Sequence, residues 1–201
     1  QSALWFAQTV LLDACRAKHI VVGHDTRFGH GGQGDVQLLH KLGAADGIVV
    51  QEVGPVLANG EAVSSSRIRK LVASGEVGQA WQLLQRPFAL AGTVVTGDQR
   101  GRQLGFPTAN VAAPAQVQPA AGVYAGWLQR SDGQHLPAVV NAGTRPTFAG
   151  TRWQVEAHVL DFAGDLYGES VRLLLGHYLR PEQRFDGLPA LLAQIERDAQ
   201  A

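Results

Sequence analysis

The sequence is poor in the residues that characterise several large classes of protein. Its 201 residues contain a single cysteine and no methionine. Because Cys15 has no second cysteine to pair with, an internal disulfide is excluded, which fits a reducing, cytoplasmic location. No apolar run reaches the roughly 18 residues of a membrane-spanning helix, and the first residues lack the basic segment followed by an apolar one that predicts a signal peptide. We therefore expect no membrane partner.

An excess of charge of one sign is also missing. The chain has 17 Lys and Arg residues against 17 Asp and Glu residues, which gives a formal net charge of +0 at pH 7. This balance argues against nucleic acid as a partner. Lysine occurs only at Lys18, Lys41 and Lys70, so the second half must carry out any phosphate chemistry without lysine. The absence of methionine and the start on Gln1 indicate a fragment of a longer product.

The first part of the chain has the pattern of an α/β domain. Residues 4–17 have apolar side chains at helical spacing, and residues 19–23 form a short apolar run typical of a buried parallel strand. Asp35 and Ser64 are suited to cap two further helices, with a second strand between them at residues 47–53. Residues 1–85 are therefore predicted to form a partial α/β domain of Rossmann-like type with a parallel sheet.

The pattern changes at residues 86 and 87, where a proline interrupts helical periodicity. Beyond it the apolar residues alternate with period two in short segments separated by glycine-containing turns, which is typical of an antiparallel barrel or sandwich. These segments are 88–96, 122–129, 135–141, 153–161 and 170–178. An apolar stripe from Leu188 to Ile195 predicts a final helix, which Asp186 is expected to cap. Residues 86–201 form the second predicted domain.

The densest motif of the chain spans residues 97–110. Its loop combines three glycines and two arginines, which can bring backbone N–H groups and positive charge against phosphates: Gly97, Arg100, Gly101, Arg102 and Gly105. Thr108 and Asn110 follow, two residues apart, and point to the same side of an extended chain. Each offers a neutral oxygen of the kind that Mg²⁺ accepts when nucleotide phosphates complete its coordination. The alternative is a surface hairpin loop followed by an ordinary strand.

Glu156 is the second candidate for chemistry. It lies on the polar face of a predicted strand, between Gln154 and His158. A carboxylate held there can accept the proton of an attacking alcohol. The alternative is a solvated surface glutamate. The catalytic interpretation requires the fold to bring Glu156 close to Thr108 and Asn110.

The second domain resembles the riboflavin kinases along nearly its whole length. The signature is Gly-Phe-Pro-Thr-Ala-Asn at residues 105–110. Further segments agree in order and without a large gap: 141–148, 155–162, 164–168 and 179–186. The resemblance implies a six-stranded Greek-key antiparallel β-barrel with a C-terminal helix, which transfers the ATP γ-phosphoryl group to the ribityl 5′-hydroxyl of riboflavin and so makes FMN.

The resemblance also implies roles for individual residues. Asn110 and Thr108 hold Mg²⁺, Glu156 is the catalytic base, and Arg180 and Phe185 belong to a flap over the flavin. The implied nucleotide-binding residues are Gly97, Arg100, Gly101, Arg102, Gly105, Pro107 and Thr108. ATP is then the co-substrate, and riboflavin and FMN are the flavin substrate and product.

The first domain resembles the FMN adenylyltransferase half of bacterial bifunctional riboflavin kinase/FMN adenylyltransferases, also called FAD synthetases. The similar segments are residues 22–35 and 63–69, and the implied residues are Asp25, Phe28, Ser65, Ser66 and Arg69. The second segment places hydroxyls at a helix N-terminus, which suits a triphosphate or is simply a strong N-cap.

This first domain departs from the family pattern. His24 and Thr26 replace an acidic and an aromatic residue, and the family's paired-histidine phosphate site is absent from the sequence. We therefore expect a vestigial, N-terminally truncated domain with little adenylyl transfer. A domain lacking a central strand would expose a sheet edge and favour self-association. The alternatives are a complete bifunctional FAD synthetase and a flavin-binding module without turnover.

Overall fold

The protein consists of two compact units. The computed structural model describes residues 1–97, 101, 106–113, 117–147 and 150–201, and its units are Gln1–Val63 and Ser64–Ala201. The predicted domain boundary lies between residues 85 and 86, whereas the contacts divide the chain between residues 63 and 64. The difference arises because the intervening helices, α3 (Ser65–Ala73) and α4 (Val77–Leu84), pack against each other and α4 packs on the barrel of the second unit.

The first unit is a small α/β arrangement. Strand β1 (His19–Gly23) pairs in parallel with β2 (Val49–Val53), as the sequence predicts, and helix α2 (Val36–Asp46) packs on β2. The helix begins where expected, because a side-chain oxygen of Asp35 accepts from the Leu38 N–H at 2.9 Å. The other elements are α1 (Ala3–Trp5), which continues as a π-helix (Phe6–Ala14), a 3₁₀ turn (His30–Gly32), and the hairpin strands β3 (Leu57–Ala58) and β4 (Glu61–Ala62).

Several valines of the first unit's sheet are exposed. The exposed fractions are 63% for Val21, 55% for Val49 and 43% for Val53. Because β1 and β2 form a sheet of two strands, each strand has one edge that pairs with no other strand among the described residues. The first unit therefore has exposed apolar side chains on both of its parallel strands.

The second unit is a closed, six-stranded barrel in which every neighbouring pair is antiparallel. The strands are β5 (Phe88–Val95), β6 (Thr108–Ala112), β7 (Gly122–Gln129), β8 (His135–Thr147), β9 (Gly150–Val159) and β10 (Ser170–Arg180). Around the barrel their order is β10-β5-β6-β9-β8-β7. The chain crosses from β6 to β7 and from β9 to β10 without pairing those strands, which is the Greek-key connection expected from the sequence.

Period-two alternation fills the barrel with apolar side chains. Tyr124, Leu128, Val140, Val155 and Leu173 have no exposed surface. They belong to one continuous core that also takes in α4 through Val77. Because alternate residues point inward, the intervening residues of β6, β8 and β9 lie on the outside of the barrel, and these include the predicted site residues.

Helix α5 (Leu188–Gln200) ends the chain and packs on β8. The prediction that Asp186 caps it is wrong. Gly187 occupies the N-cap position with φ 139°, and no side chain caps the helix. Pro189 in the first turn has no N–H group that could donate to a capping side chain. No helix among the described residues is long and apolar enough to span a membrane.

Candidate active site

Five neighbouring strands each place one residue in a lateral row on the outside of the barrel. Asn110 is directly opposite Glu156, Glu156 opposite Asn141, Asn141 opposite Val123, and Val123 opposite Arg180. All five side chains line one cavity. The row joins residues 70 positions apart along the chain, from Asn110 to Arg180, and brings Glu156 next to Asn110 as the catalytic interpretation requires.

A second row runs beside the first. Thr108 is opposite His158, and His158 is opposite Val139. His158 Nδ1 lies 2.9 Å from the carbonyl oxygen of Pro107. Since a carbonyl only accepts, this contact makes Nδ1 the protonated nitrogen. The Phe106 ring meets His158 edge-on, with centroids 5.4 Å apart.

The cavity between the barrel and α5 has a volume of about 610 Å³. This lies within the range of small-molecule sites. One part is polar, where the two rows present Thr108, Asn110, Asn141, Glu156 and His158. The remaining lining combines polar side chains, from Arg180, Glu182, Gln183 and Asp198, with an apolar set: Val123, Val139, Phe185, Leu191 and Ile195. The arrangement suits a ligand with an apolar ring and a hydroxylated chain.

Gln154 connects two residues of the first row. It lies two positions before Glu156 on β9, so its side chain is on the same face. Its Nε2 group donates to Asn110 Oδ1 and, at 3.0 Å, to Glu156 Oε1. Asn110 is 8% exposed, so its end of this network is shielded from water, whereas Gln154 and Glu156 are partly exposed.

Asn141 contributes an unpaired acceptor at the centre of the first row. Its Oδ1 atom is buried and has no hydrogen-bond partner among the described residues. Buried side-chain oxygens are nearly always paired, and an exception calls for a ligand or an ion that completes it. In the sequence, Asn141 stands out only as part of segment 141–148, which resembles the riboflavin kinases, and no role is predicted for it.

Two glycines of the 97–110 motif are required by close approach. A Cβ atom on Gly97 would overlap the side-chain amide of Asn110, and one on Gly101 would overlap the carbonyl oxygen of Phe106 and come within 3.5 Å of Thr108 Oγ1. The backbone at Gly97 therefore packs directly against Asn110, and the backbone at Gly101 lies close to Thr108. Gly101 also lines the cavity.

Arg180 is held by a buried carboxylate on α5. Its guanidinium donates to Asp198 through Nε at 3.0 Å and Nη2 at 2.6 Å, and Asp198 is 7% exposed. Gln194 Nε2 also donates to Asp198 Oδ1 at 2.8 Å. The Phe185 ring lies under the Arg180 guanidinium, with Cζ 5.8 Å from the ring centroid. This bidentate ion pair fixes α5 beside the cavity.

The predicted barrel-site residues fall into three groups. The cavity is lined by six of them: Gly101, Thr108, Asn110, Glu156, Arg180 and Phe185. Gly97 and Pro107 lie behind these, in contact with Asn110 and His158. Arg100, Arg102 and Gly105 lie outside the described residues. Three residues of the site were not predicted from the sequence: Asn141, Gln154 and Asp198. In the sequence they are ordinary polar residues of a predicted strand or helix, and nothing else distinguishes them.

The residues suggested for adenylyl transfer are divided between the two units. Asp25 and Phe28 belong to the first unit, in the turns that follow β1. The other three lie on α3 in the second unit: Ser65, Ser66 and Arg69. Ser64 caps this helix, since its Oγ accepts from the Arg67 N–H at 3.2 Å. The N-cap function predicted for this motif is confirmed.

Two ionisable groups elsewhere in the barrel have shifted pKa values. Burial, with a smaller effect from Tyr178, raises the pKa of Tyr124 above its ordinary value, and the Tyr124 hydroxyl donates to the Ala120 carbonyl at 2.6 Å. The hydrogen bond to Glu169 raises the pKa of Arg130, whose Nη2 lies 2.8 Å from Glu169 Oε1. Both groups stabilise the scaffold and lie outside the cavity lining.

Comparison with known proteins identifies the families that the chain matches. Residues 84–201 match the riboflavin kinase family model, and residues 1–67 match the FAD synthetase model. The chain is 44% identical over 193 residues to the bifunctional riboflavin kinase/FMN adenylyltransferase of Escherichia coli K12, covering 96% of this chain and 62% of that protein. Identity to the Pseudomonas fluorescens protein of the same name is 40% over 201 residues, covering 100% of this chain and 64% of that protein.

A solved structure supports the fold. A crystal structure of a Streptococcus pneumoniae protein, described as a macrolide-efflux protein, is similar with a TM-score of 0.85 and 32% identity, covering 99% of this chain and 64% of that chain. The chain thus spans less than two thirds of the length of these relatives. Because the riboflavin kinase model covers more than half of the chain and includes the whole barrel and its cavity, the chain belongs to the riboflavin kinase family.

Proposed function

We propose that this protein is an ATP-dependent riboflavin kinase that converts riboflavin to FMN. The observation that carries the proposal is the pairing of Asn110 with Glu156 across β6 and β9, inside a cavity of the family-matched domain. This pairing puts a candidate metal ligand beside a candidate base. Phosphoryl transfer depends mainly on such positioning and on neutralisation of charge.

The two parts of the cavity fit the two parts of riboflavin. The apolar set of the lining, with Phe185, Leu191 and Ile195, suits the isoalloxazine ring. The polar rows suit the ribityl chain, whose hydroxyls can donate to the unpaired Asn141 Oδ1. The Arg180 guanidinium is already paired with Asp198 and is therefore not assigned a flavin contact. In this proposal Arg180 shapes the flavin end of the site, and the Phe185 ring beside it contacts the flavin.

Thr108 and Asn110 are the residues that would hold Mg²⁺. Among the described parts of the chain no group of three or more His, Cys, Asp or Glu side chains could hold a metal. The donors at the cavity are instead two neutral oxygens on one strand face, which fits a cation whose other ligands are phosphate oxygens and water. When bound, Mg²⁺ would neutralise the phosphate charge that develops during transfer.

Glu156 is proposed to act as the general base. Its carboxylate takes the proton of the ribityl 5′-hydroxyl while the hydroxyl oxygen attacks the γ-phosphorus, and ADP leaves. The neighbouring Gln154 donor orients the carboxylate at 3.0 Å. Gly97 and Gly101, together with Arg100, Arg102, Gly105 and Pro107, are proposed to surround the phosphates.

A second activity is favoured by the match of residues 1–67 to the FAD synthetase model. The proposal is that FMN is also adenylylated to FAD, a reaction to which residues 1–67 contribute. Self-association through the exposed valines of the first unit and a cytoplasmic location are further proposals, the latter supported by the single free thiol, Cys15.

The test is to incubate the purified protein with riboflavin, ATP and Mg²⁺ and to resolve riboflavin, FMN and FAD by chromatography. Glu156→Gln is the matched variant, and we expect it to reduce kcat about a hundredfold or more while riboflavin still binds. FAD in the products would support adenylyl transfer by this chain. Flavin binding without FMN, insensitive to Mg²⁺ and to Glu156→Gln, would replace the kinase with a non-catalytic flavin-binding module.

A further inference from the structure

Gln154 occupies a position with room to reach across the site. Gln154 is on β9, and the residue opposite it on β8 is Gly143, which has no side chain. The carboxylate of Glu182 lies over Gly143 instead, since a Cβ there would overlap it. The Gln154 side chain is thereby directed along the barrel surface toward β6, where it meets Asn110.

The two hydrogens of the Gln154 amide are both used at this site. One goes to Asn110 Oδ1 and the other to Glu156 Oε1, at 3.0 Å. An amide NH₂ group has two hydrogens, so both donors of Gln154 are assigned. This single group therefore contacts the proposed metal ligand and the proposed base.

The contact determines which end of the Asn110 amide faces Gln154. A side-chain amide has an oxygen that accepts and a nitrogen that donates, and the two can exchange places by rotation. With Gln154 as a donor, the Asn110 oxygen faces β9, and its Nδ2 end lies against Gly97. The rotated amide would set two NH₂ groups against each other and would put a nitrogen, which cannot coordinate Mg²⁺, in place of the oxygen that is proposed to hold it.

We propose that Gln154 is a positioning residue for phosphoryl transfer, which holds the Asn110 oxygen and the Glu156 carboxylate in place for the metal and the hydroxyl. The inference rests on the proposed function, because it gives Asn110 and Glu156 their roles. Gln154 itself contacts neither reacting atom. Its effect is to hold the Asn110 amide in the orientation with Oδ1 toward Gln154, and so to exclude the rotated orientation before the nucleotide binds.

The experiment is a double-mutant cycle between Gln154→Met and Asn110→Asp. Methionine keeps the length of glutamine and removes its donors, whereas the two oxygens of aspartate are equivalent and need no orientation. The measured quantity is the affinity for ADP with and without Mg²⁺, by titration calorimetry. Gln82→Met, at an exposed position of α4, is the matched control.

We expect Gln154→Met to reduce the Mg²⁺-dependent gain in ADP affinity about tenfold when residue 110 is asparagine. In the Asn110→Asp background the loss should be about twofold or less. Gln154→Asn, whose amide is too short to reach both oxygens, should behave like the methionine variant. Equal losses in both backgrounds, or no loss in either, would overturn the inference and leave Gln154 a structural residue.

Measuring FMN formation as well as ADP affinity distinguishes a failure of this inference from a failure of the proposed function. Mg²⁺-dependent ADP binding in the wild type without any FMN formation would reject the kinase reaction alone. A wild type whose ADP affinity does not respond to Mg²⁺ would overturn the role of Gln154 even if FMN were formed. Urea unfolding of each variant shows whether a loss of affinity reflects a loss of fold.

Discussion

Asn110 and Glu156 lie directly opposite each other on the adjacent antiparallel strands β6 and β9. They are far apart in the sequence, and the strand register alone brings them together. The same register places Thr108 opposite His158. Because the side chains of opposite residues in a strand pair are neighbours, a one-residue slip would turn the whole set away from the cavity.

Gly97→Ala should weaken the use of MgATP. The added Cβ overlaps the Asn110 amide, which must move from its position beside Glu156. We expect the KM for MgATP to rise about tenfold. Gly78→Ala on α4 is the matched control, because no atom lies within 4 Å of the added Cβ and its steady-state kinetics should not change. An unchanged KM in Gly97→Ala would contradict the proposed place of Asn110 in the nucleotide site.

Asn141→Leu should separate stability from substrate binding. The substitution removes a buried oxygen that has no partner in the described protein, so the free energy of unfolding should stay level or rise by up to about 1 kcal/mol. The riboflavin KM should rise about tenfold, because a ribityl hydroxyl loses its acceptor. Urea unfolding and steady-state kinetics test the two parts, and lower stability with an unchanged KM would make Asn141 a structural residue.

Asp198→Ala should destabilise the attachment of α5. It leaves the Arg180 guanidinium without its carboxylate in a partly buried position, where removal of one partner costs about 3 kcal/mol. Glu196→Ala, at an exposed position of the same helix, should change stability by less than about 0.5 kcal/mol. Urea unfolding measures both. Equal effects of the two substitutions would show that the ion pair does not hold the helix.

Tyr124 should make the barrel sensitive to alkaline pH. Its folded-state pKa is raised above the ordinary value of 10.0, so the unfolded chain loses this proton first as the pH rises. The contribution of the protonated Tyr124 hydroxyl to the free energy of unfolding is therefore complete below about pH 10 and decreases above it. We expect the free energy of unfolding of the wild type to fall more steeply above pH 10 than that of Tyr124→Phe. Parallel curves from urea unfolding at pH 8 to 11 would contradict this.

The strands were predictable wherever one face of a strand is buried. The predicted strand at 122–129 is the observed Gly122–Gln129, because its inward positions are apolar and its ends are marked by turn residues. The strand predicted at 135–141 continues instead to Thr147. Its extension pairs with the start of β9 as a hairpin, and backbone hydrogen bonds maintain it where the alternation of side chains has stopped.

The sequence by itself determined the α/β unit, the antiparallel barrel, the family resemblance and the candidates Thr108, Asn110 and Glu156, because periodicity and motifs are local properties of the chain. Only the tertiary structure decided that Asn141 and Arg180 join Asn110 and Glu156 in one row, that Gln154 connects two of them, and that a buried aspartate on α5 holds Arg180. The physical reason is that contacts between distant residues depend on strand register and helix packing. Those are set by the summed burial of the whole core, and no single segment encodes them.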